Sequence, residues 1–341
     1  MAFAGVTGAS HGRPATPYPP WNDPVRGPAL GLRTARAADT HLPRIGFLTG
    51  LGYPELEEAF NDELRKQGLI EGRDLNIERR LARANSDDIS TMGRELANSD
   101  LALVVATALP AALVVRAANP RMPMVIGTCP GMVANGFARS MERPGGIYTG
   151  VDELPPGITA RRLQLLKSAA PRITRVALLS TTPGTAAHGI QLADAQHAAA
   201  DLRIEVKPYR ATSLAEIESA LEAIRTDRME GLQNFQGGLS LANRQLIVGF
   251  AAANRIPAIY QARPFVAAGG LMAWAPDQTQ QLRIAARMVA RILRGTSPGD
   301  IPVVYPPRYD LLLNAHAARA IGLLFPAAIL GQADSIVGAA K

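Results

Sequence analysis

The feature that most limits the fold is a repetition. Residues 44–49 read RIGFLT and residues 175–180 read RVALLS, each an apolar run that ends in a hydroxyl side chain before a glycine-containing loop. After the first, Leu56, Ala59, Phe60 and Leu64 fall at i, i+3, i+4 and i+8, the apolar stripe of a helix. Strand-like segments follow at 74–79, 101–106, 124–127 and 147–151, with helical patterns at 86–98 and 107–118; Pro110 falls in the first turn of the latter, where proline is tolerated. The second run has strand-like segments at 203–207, 231–235 and 257–260 and a helix at 213–225, which Ser213 and Glu216 open as a capping box. Even the proline of MPMVI at 122–126 returns in IPAIY at 256–260. Strands separated by helices of ten to fifteen residues imply parallel, doubly wound sheets, so the expectation is two similar Rossmann-like α/β lobes in tandem.

The stretch 263–277, RPFVAAGGLMAWAPD, closes the second run. Gly269 and Gly270 permit a sharp turn, residues 271–274 read as a short buried strand, and Pro276-Asp277 stops it and caps a helix over 277–294. Beyond that helix come a proline-rich extended segment (301–309), a strand at 310–314, a helix at 315–322 and a last segment at 334–338. The chain is therefore expected to cross between the lobes three times, near 150–156, 270–276 and 303–310. Three strands allow bending and resist twisting, which is what hinge closure on a ligand requires. The expected division is 43–152 with 276–302 for lobe 1 and 153–275 with 303–341 for lobe 2.

Residues 1–42 differ from the rest, with six prolines from Pro14 to Pro28 and no apolar periodicity, and are expected to be disordered. Ala35-Arg36-Ala37 has the small-x-small form of a signal-peptidase site, but no apolar region of sufficient length precedes it. Two readings stand: a chance match, or a leader that descends from an export signal not intact in this sequence. Composition removes other classes. The net charge of +7 comes from 36 basic against 29 acidic residues, with no block of like charges and no basic patch interleaved with aromatics, so nucleic acid is not an expected partner. One cysteine, Cys129, precludes an intrachain disulfide, and the five histidines are scattered without metal-ligand spacing, so neither a metal nor a cofactor is expected. No apolar run reaches the roughly 18–20 residues of a membrane span.

Residues 269–277, GGLMAWAPD, resemble the GGLMSYGPD segment of an ABC-transporter substrate-binding family, the tryptophan-binding-like branch of type I periplasmic binding proteins. Residues 42–48, 68–80, 143–150 (RPGGIYTG), 161–166 and 301–314 are similar to it as well, so the resemblance runs over nearly all of 43–338. It implies a two-lobed venus flytrap that captures a small organic ligand, such as an amino acid, an aromatic acid or another carboxylate. It also implies a periplasmic or secreted monomer that hands its ligand to an ABC permease with its ATPase and touches the membrane only through that transporter. The chain departs from the family at Thr128-Cys129-Pro130, at Ala273-Trp274-Ala275 and at Ile147-Tyr148.

In open α/β sheets ligands lie beyond the carboxyl ends of the strands, which singles out particular loops. Thr107 and Ala108 begin a helix whose free N–H groups could hold a carboxylate, and Thr181 and Thr182 are their equivalents in the second run; a plain helix cap fits each as well. Tyr53 and Trp274 could stack on a planar ligand or pack in the core. Asn234 and Gln236 end one strand; Tyr260 and Arg263 follow the next, with Arg263 a candidate partner for a carboxylate. Asp152 and Glu153 flank the first crossing and could meet an ammonium group or face solvent. Cys129 sits at a strand end, where a thiol can be a nucleophile or a small side chain lining the cleft. No second cysteine and no G-x-S-x-G, Walker A or dinucleotide fingerprint accompanies it, which disfavours an enzyme. A periplasmic ligand-sensing subunit on the same fold is the alternative to a transport protein.

Overall fold

The structure is a computed structural model describing residues 42–50, 54–82, 86–235 and 237–338. The leader expectation for 1–42, apart from Leu42, and the site candidates Tyr53 and Gln236 lie outside the described residues. The first run builds β1 (Arg44–Thr49), α1 (Pro54–Lys66), β2 (Asn76–Leu81), α2 (Ser86–Asn98), β3 (Leu103–Ala106), α3 (Leu109–Ala118), β4 (Met124–Cys129) and β5 (Tyr148–Asp152). These strands form one parallel sheet in the order β2-β1-β3-β4-β5. β3 and β4 are buried along their whole length, as solid apolar strands covered on both faces must be. The edge strand β2 (NIERRL) is only half-buried. Its Arg79 pairs with Glu57 and Glu71 and its Arg80 with Glu78, which leaves a charged edge that resists pairing with another chain.

The second run builds α4 (Ile158–Ala169), β6 (Arg175–Ser180), α5 (Ala186–Leu202), β7 (Glu205–Arg210), α6 (Leu214–Thr226), β8 (Gly231–Asn234), α7 (Gly238–Ala242), α8 (Arg244–Ala253), β9 (Ala258–Tyr260), α9 (Arg263–Ala267) and β10 (Met272–Pro276). Then follow α10 (Gln278–Leu293), β11 (Tyr309–Asn314), α11 (Ala315–Ala320), α12 (Ala327–Leu330) and β12 (Ser335–Val337). The second sheet has the order β12-β11-β10-β9-β8-β6-β7. It is parallel except where β11 meets β10, which it pairs antiparallel from Met272↔Leu313 to Pro276↔Tyr309. The exception has a simple origin: the chain leaves this sheet from the carboxyl end of β10 and re-enters at the same end, so the returning strand runs backwards.

Several boundaries move from their sequence-based positions for local reasons. The strand expected at 203–207 starts at Glu205, because Arg203 adopts a left-handed conformation (φ 51°) that caps α5. The helix expected from Thr107 starts at Leu109, with Ala108 as its N-cap. Residues 263–267, given no element from sequence, are a short helix. The capping box at α6 is shifted: Ser213 Oγ accepts from the Glu216 N–H, but the Glu216 carboxylate reaches the Thr212 N–H and hydroxyl.

Each sheet carries an apolar cluster on each face. Phe47, Phe60 and Met288 join β1, α1 and α10 on one face of the first sheet, and Ala112, Met124 and Phe137 fill the other. Leu163, Ala195 and Phe235 lie under α4 and α5 on one face of the second sheet; Leu221, Ile247 and Tyr260 lie under α6 and α8 on the other. α10 thus covers the first sheet although the strand before it belongs to the second.

The crossings run side by side. Val151 bridges Val304, with Asp152 N–H donating to Val304 O at 2.9 Å and Val304 N–H to Gly150 O at 3.2 Å. Pro276 lies opposite Tyr309 in the β10–β11 ladder, and the Tyr309 hydroxyl donates to Glu153 O at 3.2 Å. Gly150 allows this assembly, because a Cβ there would sit 2.1 Å from Ile126 O. Gly150→Ala is expected to lower stability by about 4 kcal/mol or leave the protein unfolded, read from urea melts against the parent.

Candidate functional site

The carboxyl ends of β6, β8, β9 and β10 form one wall, and those of β1, β3 and β4 the corresponding edge of the first sheet. On the second wall Trp274 is half-buried, its indole tilted against Tyr309 with ring centroids 5.0 Å apart. Leu154, Ile158 and Ala187 complete this small cluster. Ala187 also approaches the first lobe, since a Cβ on Gly131 would stand 3.7 Å from it. Behind Trp274 lies Arg162, 1 % exposed, whose Nε donates to Trp274 O at 3.1 Å. Burial pulls its pKa down to about 10, opposed by Tyr309, Glu153 and Asp194, so it stays charged at neutral pH. Across the joint Gln281 of α10 donates to the Glu153 carboxylate at 2.9 Å.

The remaining expected residues fall into two groups. Thr107, Ala108, Thr181 and Thr182 lie at the two facing edges. Ala108 leaves the α3 amino end without a side-chain cap, while the Thr107 carbonyl accepts from the Thr128 hydroxyl. Thr181 Oγ1 accepts from the Ser240 N–H at 3.3 Å and Thr182 O from the Thr185 hydroxyl at 2.9 Å, so this loop is tied down internally. Asn234, fully buried, donates to Gln261 Oε1 and to Phe235 O, both at 3.1 Å, leaving its own Oδ1 without a partner.

In the second group Tyr260, Arg263 and Asp152 are placed against expectation, and Cys129 takes its buried alternative. Tyr260 points away from the cleft edge into the core beneath α8 and α9, stacked on Phe265 at 4.7 Å and 9°. Arg263 has its guanidinium on Asp310, which also takes Arg308. Asp152 accepts from the N–H groups of Gly131, Met132 and Leu154 at 2.7–2.9 Å and so anchors the first crossing rather than facing a ligand. Cys129 is fully buried among Met132 and Phe137, and burial together with Asp152 and Glu153 pushes its thiol well above the usual range.

Residues that the strand-end rule does not reach are also present. His188 and Gln191, on the inner side of α5, are 5 % and 1 % exposed, and neither ring nitrogen of His188 has a partner. Only Thr185, which caps α5 by accepting from the His188 N–H, marks the place in sequence. Among the described residues no group of three or more His, Cys, Asp or Glu is arranged to hold a metal ion.

Two α/β lobes on three adjacent crossings, with an aromatic and buried polar wall at the joint, define a type I periplasmic-binding fold. Solved structures share it. One is the L-Trp complex of an ABC domain from Streptococcus pneumonia, at TM-score 0.79 and 21% identity over 87% of this chain and 100% of that one. A second is a ligand-free, open substrate-binding protein with adhesive properties from Clostridium difficile, at TM-score 0.65 and 20% identity over 87% and 99%. Among curated proteins, a tyrosine-binding protein of Clostridioides difficile (strain R20291) is 21% identical over 282 residues, 82% of this chain and 81% of that one. The family profile described as ABC transporter substrate binding protein matches residues 46–337, and the chain belongs to that family. It is a substrate-binding protein.

The environment of Cys129 makes a direct prediction. At pH 8 a disulfide reagent such as dithionitrobenzoate should leave the folded protein unmodified over an hour and titrate one thiol after denaturation in guanidinium chloride. Rapid reaction of the folded protein would show an accessible thiolate.

Proposed function

We propose that the chain captures an aromatic amino acid between its lobes and delivers it to an ABC permease. The observation that carries this reading is the Trp274–Tyr309 pair, placed half-buried at the carboxyl edge of β10 and directly beside the crossings. An indole already tilted against one ring at the joint offers an aromatic wall to a planar side chain. On the opposite edge α3 has no side-chain cap at Ala108; the Thr107 N–H is spent on Leu48 O and Pro110 has none, so the N–H groups that follow Thr107, with the positive end of the helix dipole, are what a carboxylate would meet. Thr181 and Thr182 stand on the facing loop. The names of the relatives, one a complex with L-Trp and one a tyrosine-binding protein, agree with that ligand class.

Closure would bring the two walls together about crossings held at Val151–Val304 and Pro276–Tyr309, with lobes of 43–152 plus 276–302 and 153–275 plus 303–341. In this reading the protein works as a monomer outside the cytoplasm and catalyses no reaction. No helix among the described residues is long and apolar enough to cross a membrane, so contact with one would be through the permease.

Thermal unfolding tests the ligand class. An aromatic L-amino acid at ~1000-fold excess over its Kd should stabilise the protein by about 4 kcal/mol, whereas hexoses should leave the transition unmoved. In a Trp21→Phe background, where Trp274 is the remaining tryptophan, the same titration should change the indole emission. Stabilisation by sugars alone, or by no amino acid, would overturn the assignment.

A further inference from the structure

Beneath the first turns of α5 lies a group of polar side chains that the fold leaves unanswered. His188 and Gln191 come from α5, Thr159 from the first turn of α4, and Gln233 from the middle of the second sheet on β8. All four are at least 95 % buried, at 5 %, 1 %, 0 % and 0 % exposure. They are joined by what bonds they do make. Gln233 Nε2 donates to Thr159 O at 3.4 Å, Gln191 Nε2 donates to Ala187 O at 3.3 Å, and Asp194 on α5 accepts from the Thr159 and Ala160 N–H groups at 2.8 and 3.1 Å. The His188 ring stands 6.0 Å from that of Phe235, the residue that follows β8 at the cleft edge.

After those bonds, Thr159 Oγ1, Gln191 Oε1, Gln233 Oε1 and both His188 ring nitrogens have no partner. Each amide has spent one of its two N–H groups on a backbone carbonyl, so what remains is a mixture: acceptors on both amide oxygens, on Thr159 and on one imidazole nitrogen, and donors on the second amide N–H groups, the imidazole N–H and the hydroxyl. Buried groups of this kind are destabilising unless something answers them. Water can do so, and so can a ligand. A cationic group is a poor fit, since burial, and after it Arg210 at the end of β7, already lower the His188 pKa. A hydroxyl both donates and accepts, which matches a recess that offers both donors and acceptors.

We propose that His188, Gln191, Thr159 and Gln233 form a polar recess of the ligand cleft that reads a hydroxyl on the ligand's side chain. This rests on the assignment of the cleft to an aromatic amino acid and makes it narrower: a hydroxylated ring is preferred to the same ring without the hydroxyl. The link to the cleft is Ala187, on the same helix turn as His188, which packs in the Trp274 cluster.

Calorimetric titration of L-tyrosine and L-phenylalanine into the full chain tests it. The parent should bind L-tyrosine at least tenfold more tightly, because the analogue lacking the hydroxyl leaves buried groups unpaired. Gln191→Leu and His188→Leu should each weaken L-tyrosine about tenfold and leave L-phenylalanine unchanged or tighter. Their unliganded melting temperatures should hold or rise, since an apolar replacement removes an unanswered polar group. Equal affinity for the two amino acids in the parent would overturn the recess and leave the aromatic amino-acid assignment standing. So would variants that melt lower with the affinity ratio unchanged, which would show that these side chains hold structural water. Binding of neither amino acid would overturn the assignment itself and the recess with it.

Discussion

The antiparallel pairing of β10 with β11 is the constraint on which the rest depends. One strand carries the chain out of the second sheet and the other brings it back, and the ladder between them holds both ends of that excursion together. The excursion contains α10, which covers the first sheet, so a helix needed by one lobe is delivered by the other. The third crossing then lies against the first through Val151 and Val304. Two lobes joined this way each keep their own two-faced core, with only the short straps between them. The same geometry fixes the site: Trp274 and Tyr309 meet because Trp274 precedes the exit and Tyr309 begins the return.

Much of this was legible in the chain because it follows from period and punctuation. RIGFLT and RVALLS became β1 and β6 with the bounds their apolar runs suggest, and Asp277 caps α10 with its side chain on the Thr279 N–H. The reversed β11 was not legible, since a five-residue apolar run carries no direction. Tyr260 shows a second limit. It ends a strand, as cleft residues do, but side chains alternate along β9, and its turn of the alternation faces α8 and α9. Arg263 shows a third: Asp310, which occupies it, lies 47 residues away, and only the β10–β11 pairing brings the two together.

α5 was hard to read for a different reason. Alanines lie on several of its sides, so the sequence offers no contrast between a buried and an exposed face, and His188 and Gln191 look like surface residues of a small-residue helix. The fold nevertheless packs their side against α4 and β8, because Ala187, Ala195, Ala198 and Ala199 let the two helices approach closely. Small residues thus do two things at once. They allow close helix packing, and they leave larger polar neighbours enclosed without room to reach water.

An enclosed polar atom without a partner costs about 1–3 kcal/mol, against a total stability of about 5–15 kcal/mol for a domain. Five such atoms beneath one helix end are therefore more than packing alone explains, while the cluster on the opposite face of the same sheet, around Leu221, Ile247 and Phe265, carries the Tyr260 hydroxyl as its one unpartnered buried side-chain atom among the described residues. The asymmetry falls along the line from the crossings into the second lobe, on the side where Trp274 stands. Unanswered polarity that collects at a cleft, and is nearly missing from the other face, is what a binding wall needs. Discrimination between similar ligands comes from groups that are badly off without the right one.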